Sequence, residues 1–541
     1  MNVLVRKDAY FDSVVLMLLS RELKGRPGVA DAVVAMGTPL NLDLLASLGC
    51  AAGDLAGVTA ADLVIAIDCP DPADLPGAVA AAEAALAHGR PGAAVADGAA
   101  REPTTLAGAL AQLPQANLAV ISLPGAHAAR EAHRALDHGL HVMLFSDNVT
   151  LDDEVALKRR ARELGLLVMG PDCGSAILNG KPLCFANVVR RGPIGVVAAS
   201  GTGLQEVTVL VDRAGSGVSQ AIGTGGRDLK DERVGGITMS MGIQALAKDP
   251  ATRVIVVVSK PPAPAVAAKV VAELEASGKD CVVHFIGLPR EAVPDAGSAR
   301  VHWAGNLEQA AGLAVALAGE PAAAAPGAAT PTEAELAALV ARETANMAPA
   351  QRYLRGYFTG GTLADEAWLA LHAATGAVYS NNQTDLAFVL PDPRVSVGHT
   401  VVDLGDDVFT VGRPHPMIDP STRTERVDAE AADPTIAVML VDVVLGYGSH
   451  ADPAGALAPS LAAAKAAAAA RGGHLALVAS ITGTPGDFQD LARQRATLEA
   501  AGVIVMPSNH RAAQLARRLV EAAPGNAASG PRAAGRNGGA R

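Results

Sequence analysis

The sequence predicts a multi-domain α/β protein, and three observations carry that prediction. The chain has 541 residues, which at roughly 150 residues per domain makes three or four domains. Short apolar runs alternate with amphipathic stretches along most of its length, the pattern of strands separated by helices. One stretch, EPAAAAPGAATPT from Glu320 to Thr332, breaks the alternation with the composition of a linker.

In chain order, residues 1–95 read as a small α/β unit: SVVLMLLSREL as helix, VADAVVAMG as strand, NLDLLASLG as helix and ADLVIAIDC as strand. Residues 96–190 give strand NLAVISLPG, helix HAAREAHRALDHG, strand HVMLFSD, helix LDDEVALKRRARELG and strand LLVMGPDCG. That is a parallel sheet with right-handed crossovers. Residues 191–320 form a third, doubly wound segment with strands IGVVAAS, VSQAIGTGG, RVIVVVS and DCVVHFIG. Helix resumes at TEAELAALVARE, and residues 333–523 contribute strands TIAVMLVDVVLG, HLALVASITG and VIVMPS with helices between them. From 524 to 541 the sequence lacks residues that could build a core and predicts a disordered tail.

The third and fourth segments repeat one plan. The loop GGRDLKDERVGG, Gly225 to Gly236, precedes a helix and the strand RVIVVVS. GRPHPMIDPSTRTERV, Gly412 to Val427, precedes TIAVMLVDVVLG. Each has Gly-Arg at or near its start and Glu-Arg-Val near its end. Two related halves can pack about a pseudo-twofold axis, with a site between them.

Composition excludes several classes. Half the residues are hydrophobic and 18% are charged, a globular balance. A net charge of −11 disfavours nucleic acid or an anionic membrane as partner. Five cysteines without C-x-x-C spacing indicate neither a zinc ribbon nor a disulfide framework. With no signal-peptide pattern and no long apolar run, the expected location is the cytoplasm. No Ser-His-Asp ordering, H-E-x-x-H motif or metal cluster stands out, so no metal is expected.

Ser200-Gly201-Thr202-Gly203 lies where the strand IGVVAAS meets a helix start, the place where doubly wound folds bind ligands. Free backbone N–H groups and the helix dipole favour an anion there by about 0.3–1 kcal/mol, and up to about 2 when partly buried. The turn fails the full G-x-G-x-x-G pattern, because Glu206 follows where the third glycine belongs. Phosphate is therefore expected rather than a nucleotide, and a plain Ser-capped turn suits the same residues. Gly446 and Gly448, after the strand VMLVDVVLG, are the corresponding candidates in the fourth segment. Gly225, Gly226 and Arg227 are further phosphate candidates. His415, between two prolines, suits a general acid, base or nucleophile, or a surface loop histidine. Arg413 and Arg423 can clamp a phosphate or carboxylate. His284 alternates within a strand and reads as structural.

The runs LGLLVMGPDCGSAI, RGPIGVVAASGTGLQEV and AIGTGGRD resemble the α subunit of succinyl-CoA synthetase. The fourth segment is similar to the carboxyl-terminal domain of that enzyme's β subunit. With the opening RKDAYFDSVVLM and MGTPLN, the chain resembles the FdrA proteins. The resemblance implies a Rossmann-like CoA-binding-type domain followed by two flavodoxin-like ligase domains, behind a small N-terminal α/β domain. It implies a phosphate cradled by two helix N-termini, Ser200–Gly203 being one and Gly446 and Gly448 matching the other. It also implies a hetero-oligomeric complex acting on a small molecule.

This chain departs from the synthetase in three places. The synthetase's active histidine sits in Gly-His-Ala-Gly, whereas Val301-His302-Trp303-Ala304-Gly305 carries its histidine one position out of register. No opening glycine loop for CoA precedes Asn117, and no segment corresponds to an ATP-grasp domain. FdrA-type proteins are implied to serve a carbamoyl transferase of ureide (allantoin) breakdown, in which oxalurate and phosphate give oxamate and carbamoyl phosphate. That reaction needs no nucleotide and no firmly implied cofactor, with His415 or Arg413 orienting the substrate carboxylate. The alternatives are an ADP-forming acyl-CoA synthetase subunit, with CoA as ligand and His302 as the reactive group, or a non-catalytic scaffold.

Overall fold

The computed structural model describes residues 1–9, 11, 13–88, 103–293, 299–319, 331–383, 385–411 and 413–527. The seam expected near residue 95, most of the Pro/Ala-rich linker and the tail beyond residue 527 lie outside the described residues. The chain divides into two compact units: Met1–Gln115 with Thr410–Pro414, and Ala116–Phe409 with the chain from His415 onward.

The first unit is built on strands β1 (Asn2–Arg6), β2 (Asp31–Met36) and β3 (Leu63–Asp68), in order β1-β3-β2 with both pairings antiparallel. The central strand is buried on both faces. Leu63, Ile65 and Ile67 pack against Leu16, Leu19 and Ala82, while Val64 and Ala66 pack against Leu45 and Cys50. Two buried faces explain why LVIAI is a continuous apolar run rather than an alternating one.

The second unit opens with a parallel sheet of β4 (Leu118–Ile121), β5 (His141–Leu144) and β6 (Val168–Met169). Next come β7 (Ser175–Leu178), β8 (Lys181–Cys184), β9 (Ile194–Ala199), β10 (Val218–Gly223), β11 (Val254–Ser259), β12 (Asp280–Phe285) and β13 (Val301–Trp303). They make one seven-stranded sheet in the order β13-β12-β11-β9-β10-β7-β8. The sheet therefore crosses the seam expected at 190/191, because the β7–β8 hairpin pairs antiparallel with β10. A six-stranded, all-parallel sheet follows: β14 (Tyr353–Phe358), β15 (Val378–Tyr379), β16 (His399–Asp403), β17 (Ile436–Val444), β18 (Ala476–Thr482) and β19 (Val503–Met506). Its order is β15-β16-β14-β17-β18-β19.

Counting β9 as first strand of one half and β14 as first of the other, both sheets share an order. Strands β10-β9-β11-β12-β13 and β16-β14-β17-β18-β19 each read 2-1-3-4-5, the flavodoxin-like order, in which ligands bind at the carboxyl end between strands 1 and 3. β9, β11 and β17 have every residue buried, and accordingly they are the plainest apolar runs in the sequence.

One hydrophobic cluster runs through both halves, taking in Leu204, Val207, Leu307, Leu363, Ala367 and Leu515. The halves also cap one another's helices. Glu206, on the helix Gly201–Arg213, accepts the Asn509 N–H (3.0 Å) that starts the helix Asn509–Ala522. Glu366, on the helix Gly361–Thr375, accepts the Leu307 N–H (3.0 Å) that starts the helix Leu307–Leu317. In each case the first helix of one half satisfies the last helix of the other. Among the described residues no helix is long and apolar enough to cross a membrane.

Candidate functional site

β9 delivers Ser200 to the start of the helix Gly201–Arg213. Ser200 adopts an extended N-cap conformation and its Oγ accepts the Gly203 N–H at 3.0 Å. The turn that meets it is at the end of β14. Ser200 Oγ and Thr362 Oγ1 lie 2.6 Å apart, and a Cβ on Gly360 would stand 2.4 Å from Thr202 Cγ2. Two helix N-termini, one from each half, thus face each other across strand-end turns 200–203 and 359–362.

The second turn is braced from below. Asp442 of β17 accepts the Thr359 N–H at 2.9 Å and the Thr359 hydroxyl at 3.0 Å, and it pairs with Arg423 at 2.9 Å, both ions being buried. Arg423 is therefore a brace for the turn, not an anion clamp.

This pairing corrects the sequence-based match of Gly446 and Gly448 to the second turn. They follow β17, the third strand of their half, whereas the counterpart of Ser200 must follow the first. Gly446 donates its N–H to Gln489 (3.1 Å), Tyr447 donates to the Ala186 carbonyl (2.9 Å), and Gly448 packs on Phe185. Positive φ at both glycines, 102° and 79°, lets this loop press against residues 184–187.

Ser259 pairs with Ala199, so Lys260 emerges beside Ser200 at the crevice between strands 1 and 3 of its half. Its Nζ lies 3.0 Å from Asp365 on the opposite helix. Burial works against the Lys260 charge, but Asp365 and Asp403 outweigh it and hold its pKa above the ordinary lysine value. Asp403 ends β16 opposite Phe358. A Cβ on Gly361 would stand 2.3 Å from Asp403 Oδ2 and 3.1 Å from Lys260 Nζ. Burial raises the Asp403 pKa to about 7, with Lys260 and the Gly405 N–H pulling against it.

Gly225 has φ 87° and lies against the Pro171 carbonyl, while Gly226 approaches Asp172. Burial, reinforced by Asp147 and Asp407, lifts the Asp172 pKa to about 6. Arg227 is engaged with Glu154 at 2.8 Å and donates to the Val149 carbonyl at 2.8 Å. His415 packs on Phe185 with ring centroids 5.4 Å apart. Its Nδ1 accepts the Met417 N–H at 3.2 Å, and burial lowers its pKa to about 4. Its neighbour Arg413 groups with the first unit, so the two residues that the sequence pairs fall in different units.

His302 is on the edge strand β13, opposite Val282 and three strands from β9, or about 14 Å at normal strand spacing. It is not brought to the turns. His284 is buried in β12 with Nδ1 2.9 Å from the Ala304 carbonyl, a structural placement.

Sequence reasoning missed β14, its turn and β16, and with them Thr359–Thr362, Lys260, Asp365 and Asp403. The signal was present: FTGGTLADE repeats the strand-glycine-Thr-acid plan of ASGTGLQE, with Glu366 standing where Glu206 stands.

Fold and paired turns define a CoA-ligase, succinyl-CoA synthetase-like architecture. A family described as CoA-ligase matches residues 357–519, and one described as AllF, heavy metal-associated domain, matches residues 1–103. YahF of Escherichia coli (strain K12) is 44% identical over 524 residues, 96% of this chain and 98% of that one; the chain belongs to the YahF family. The α subunit 2 of ADP-forming succinate–CoA ligase from Archaeoglobus fulgidus is 28% identical over 27% of this chain and 50% of its own length. The subunit SqwL of an ADP-forming sulfoacetate–CoA ligase from Acholeplasma sp is 29% identical over 23% of this chain and 43% of that one. Among solved structures, the dinucleotide-forming acetyl-coenzyme A synthetase 1 of Ca. Korarchaeum cryptofilum aligns over 76% of this chain and 84% of its own. Its identity is 17% and its TM-score 0.30, too low to compare sites.

Among the described residues no group of three or more His, Cys, Asp or Glu could hold a metal ion, and the first unit's Cys50 and Cys69 are separate, buried thiols. The turn after β4, Leu123–Gly125, leads directly into the helix Gly125–Asp137. There the Asp147 and Asn148 carbonyl oxygens stand 2.4 Å from the position of a Gly125 Cβ, so the backbone approach requires glycine.

Proposed function

We propose that this chain is an FdrA-type, phosphate-handling subunit of a carbamoyl transferase that converts oxalurate and phosphate to oxamate and carbamoyl phosphate. The observation that carries the reading is the pair of facing helix N-termini at 200–203 and 359–362 with the Lys260 ammonium beside them. Aligned N–H donors and a fixed cation hold phosphate in line with a planar carbonyl, the positioning from which acyl transfer gains several kcal/mol. The sequence carries no nucleotide-binding motif, in keeping with a reaction that uses no ATP. Partner chains complete the enzyme on this reading, since the succinate–CoA and sulfoacetate–CoA relatives are named as subunits.

A second reading, an ADP-forming acid–CoA ligase subunit working with a separate nucleotide-binding chain, is favoured by the CoA-ligase match over 357–519. Thermal melting of the full chain with phosphate, carbamoyl phosphate, CoA or ATP separates the two. A ligand at about 100 times its Kd adds about 2.7 kcal/mol. Stabilisation by phosphate or carbamoyl phosphate, with none by CoA, supports the transferase, and oxalurate phosphorolysis with partner chains then follows. A CoA response with no phosphate response overturns it.

A further inference from the structure

Lys260 Nζ and Asp403 Oδ2 both border Gly361, the first residue of the helix whose N-terminus forms the second turn. Asp365 already supplies the ion pair to Lys260 at 3.0 Å. Asp403 is thus a second carboxyl at a position that has its counter-ion, beside the two facing turns. Its two oxygens are differently placed. Oδ1 accepts the Gly405 N–H at 3.0 Å, while Oδ2 faces Gly361 and Lys260. Asn381 brackets the Asp403 backbone from both sides, donating to its carbonyl and accepting its N–H, each at 2.9 Å, so the side chain is held in place.

We propose that Asp403 is the proton-carrying group of the facing-turn site, delivering a proton to the departing nitrogen and recovering one from phosphate while Lys260 holds the anion. This rests on reading the turns as a phosphate site. The step balances without a co-reactant. An oxygen of hydrogen phosphate forms a bond to the carbonyl carbon, and the carbon–nitrogen bond breaks. The phosphate hydroxyl loses one proton and the leaving amide nitrogen gains one. Asp403, protonated when the anion is bound, gives its proton to the nitrogen and recovers one from the phosphate hydroxyl.

His415 does not compete for the role. Its Nδ1 accepts the Met417 N–H, so the neutral ring carries its proton on Nε2, the nitrogen toward Gly405. A ring in that tautomer has no free lone pair to offer the phosphate. The groups facing Asp403 are Lys260 at the end of β11, Asp365 on the helix Gly361–Thr375, Asp406 in its own loop and His415. Burial outweighs the favourable ammonium and leaves the Asp403 carboxyl titrating near neutrality, as the shuttle needs.

The test is isothermal titration of the full chain with inorganic phosphate at pH 7.5, in two buffers with different ionisation heats, for wild type and Asp403→Asn. At that pH a carboxyl with a pKa of about 7 is about one-quarter protonated. Binding of an anion beside it therefore takes up as much as about three-quarters of a proton. The expected result is that Asp403→Asn still binds phosphate while proton uptake falls by about that amount, phosphate's own titration being common to both proteins. Above pH 7 the wild-type Kd should rise by as much as about tenfold per unit, and the variant's should rise less.

Equal proton uptake in wild type and Asp403→Asn overturns the assignment of Asp403 and leaves the phosphate site standing. No phosphate binding by the wild type at pH 6 or 7.5 overturns both. Thermal melting checks that Asp403→Asn folds. If it does not, Asp403→Glu, which keeps the carboxyl, must retain the uptake; a folded Asp403→Glu without it also overturns the proposal.

Discussion

Gly360 and Gly201 open equivalent helices, yet their surroundings differ enough to predict opposite outcomes for the same substitution. A Cβ on Gly360 would stand 2.4 to 2.8 Å from three atoms of the Thr202 side chain, which has the other turn behind it. Gly360→Ala must push the two turns apart, and overpacking of this kind costs about 1–3 kcal/mol. A Cβ on Gly201 meets only Ser175 Oγ, at 3.7 Å. Gly201→Ala should change stability by less than about 0.5 kcal/mol. Urea denaturation of both variants checks the contrast, and equal losses would mean that the turns are not pressed together. At this scale the sequence was readable where a local pattern specifies a residue: Ser200 before two glycines and a helix signals a cap, and it is one. Lys260 and Asp403 were not readable. Each is a single polar residue at the end of an apolar strand, and its role comes from what another strand brings beside it.

Glu206 and Glu366 show how an element depends on a partner far along the chain. Each lies fully inside the protein and accepts a backbone N–H from the first turn of a helix in the other half. Glu206 also accepts the Thr482 hydroxyl at 2.6 Å. Glu206→Ala leaves a buried N–H and a buried hydroxyl without their acceptor, which costs about 1–3 kcal/mol for each group so stranded. Glu206→Gln keeps one carbonyl acceptor and should lose less, by a ratio that chemical denaturation reads directly. Helices with local caps were legible: LDDEVALKRRARELG is observed as Leu151–Leu164, with Thr150 accepting the Asp153 N–H and Gly165 closing the helix at φ 67°. The buried strands β9, β11 and β17 were equally plain. β14 was not, because YLRGYF carries an arginine and a glycine inside a strand. Arg355 is nevertheless buried there, held by Glu430 and Asp433 and by the Gly398 carbonyl. A charge network satisfied by residues some 75 positions away leaves no trace in a local hydrophobic pattern.

The molecule as a whole encloses an unusual set of titratable groups, and they set its response to pH. The repeat read from the two Gly-Arg to Glu-Arg-Val stretches was legible at this scale: each lies between the second and third strands of its half, the first ending before the helix Ile237–Lys248 and the second inside the helix Ser421–Glu430. What that repeat encloses was not. Burial raises Asp403 and Glu366 to about 7, and it lowers His399 and His415 to about 4. For the histidines, the unfolded chain binds more protons than the native one between about pH 4 and 6.5, so stability rises with pH across that window and their contribution is then complete. For the carboxyls, the native chain binds more protons between about pH 4 and 7, so their contribution is present at low pH and is lost as pH rises through 7. The two effects oppose each other below about pH 6.5, and only the carboxyls act above it. The stability these four groups contribute should therefore stay nearly level between about pH 4.5 and 6 and fall between about pH 6 and 8. Glu366→Gln removes one titrating group while keeping an acceptor for the Leu307 N–H. Asn509 Oδ1 has no partner in the native packing, so its amide can turn to receive the new N–H₂. Between pH 6.5 and pH 8 the variant should lose about half as much melting temperature as the wild type, because Asp403 still titrates there. A wild-type melting temperature that rises across that interval would show that the buried carboxyls are ionised in the native state, and that Asp403 holds no proton at neutrality.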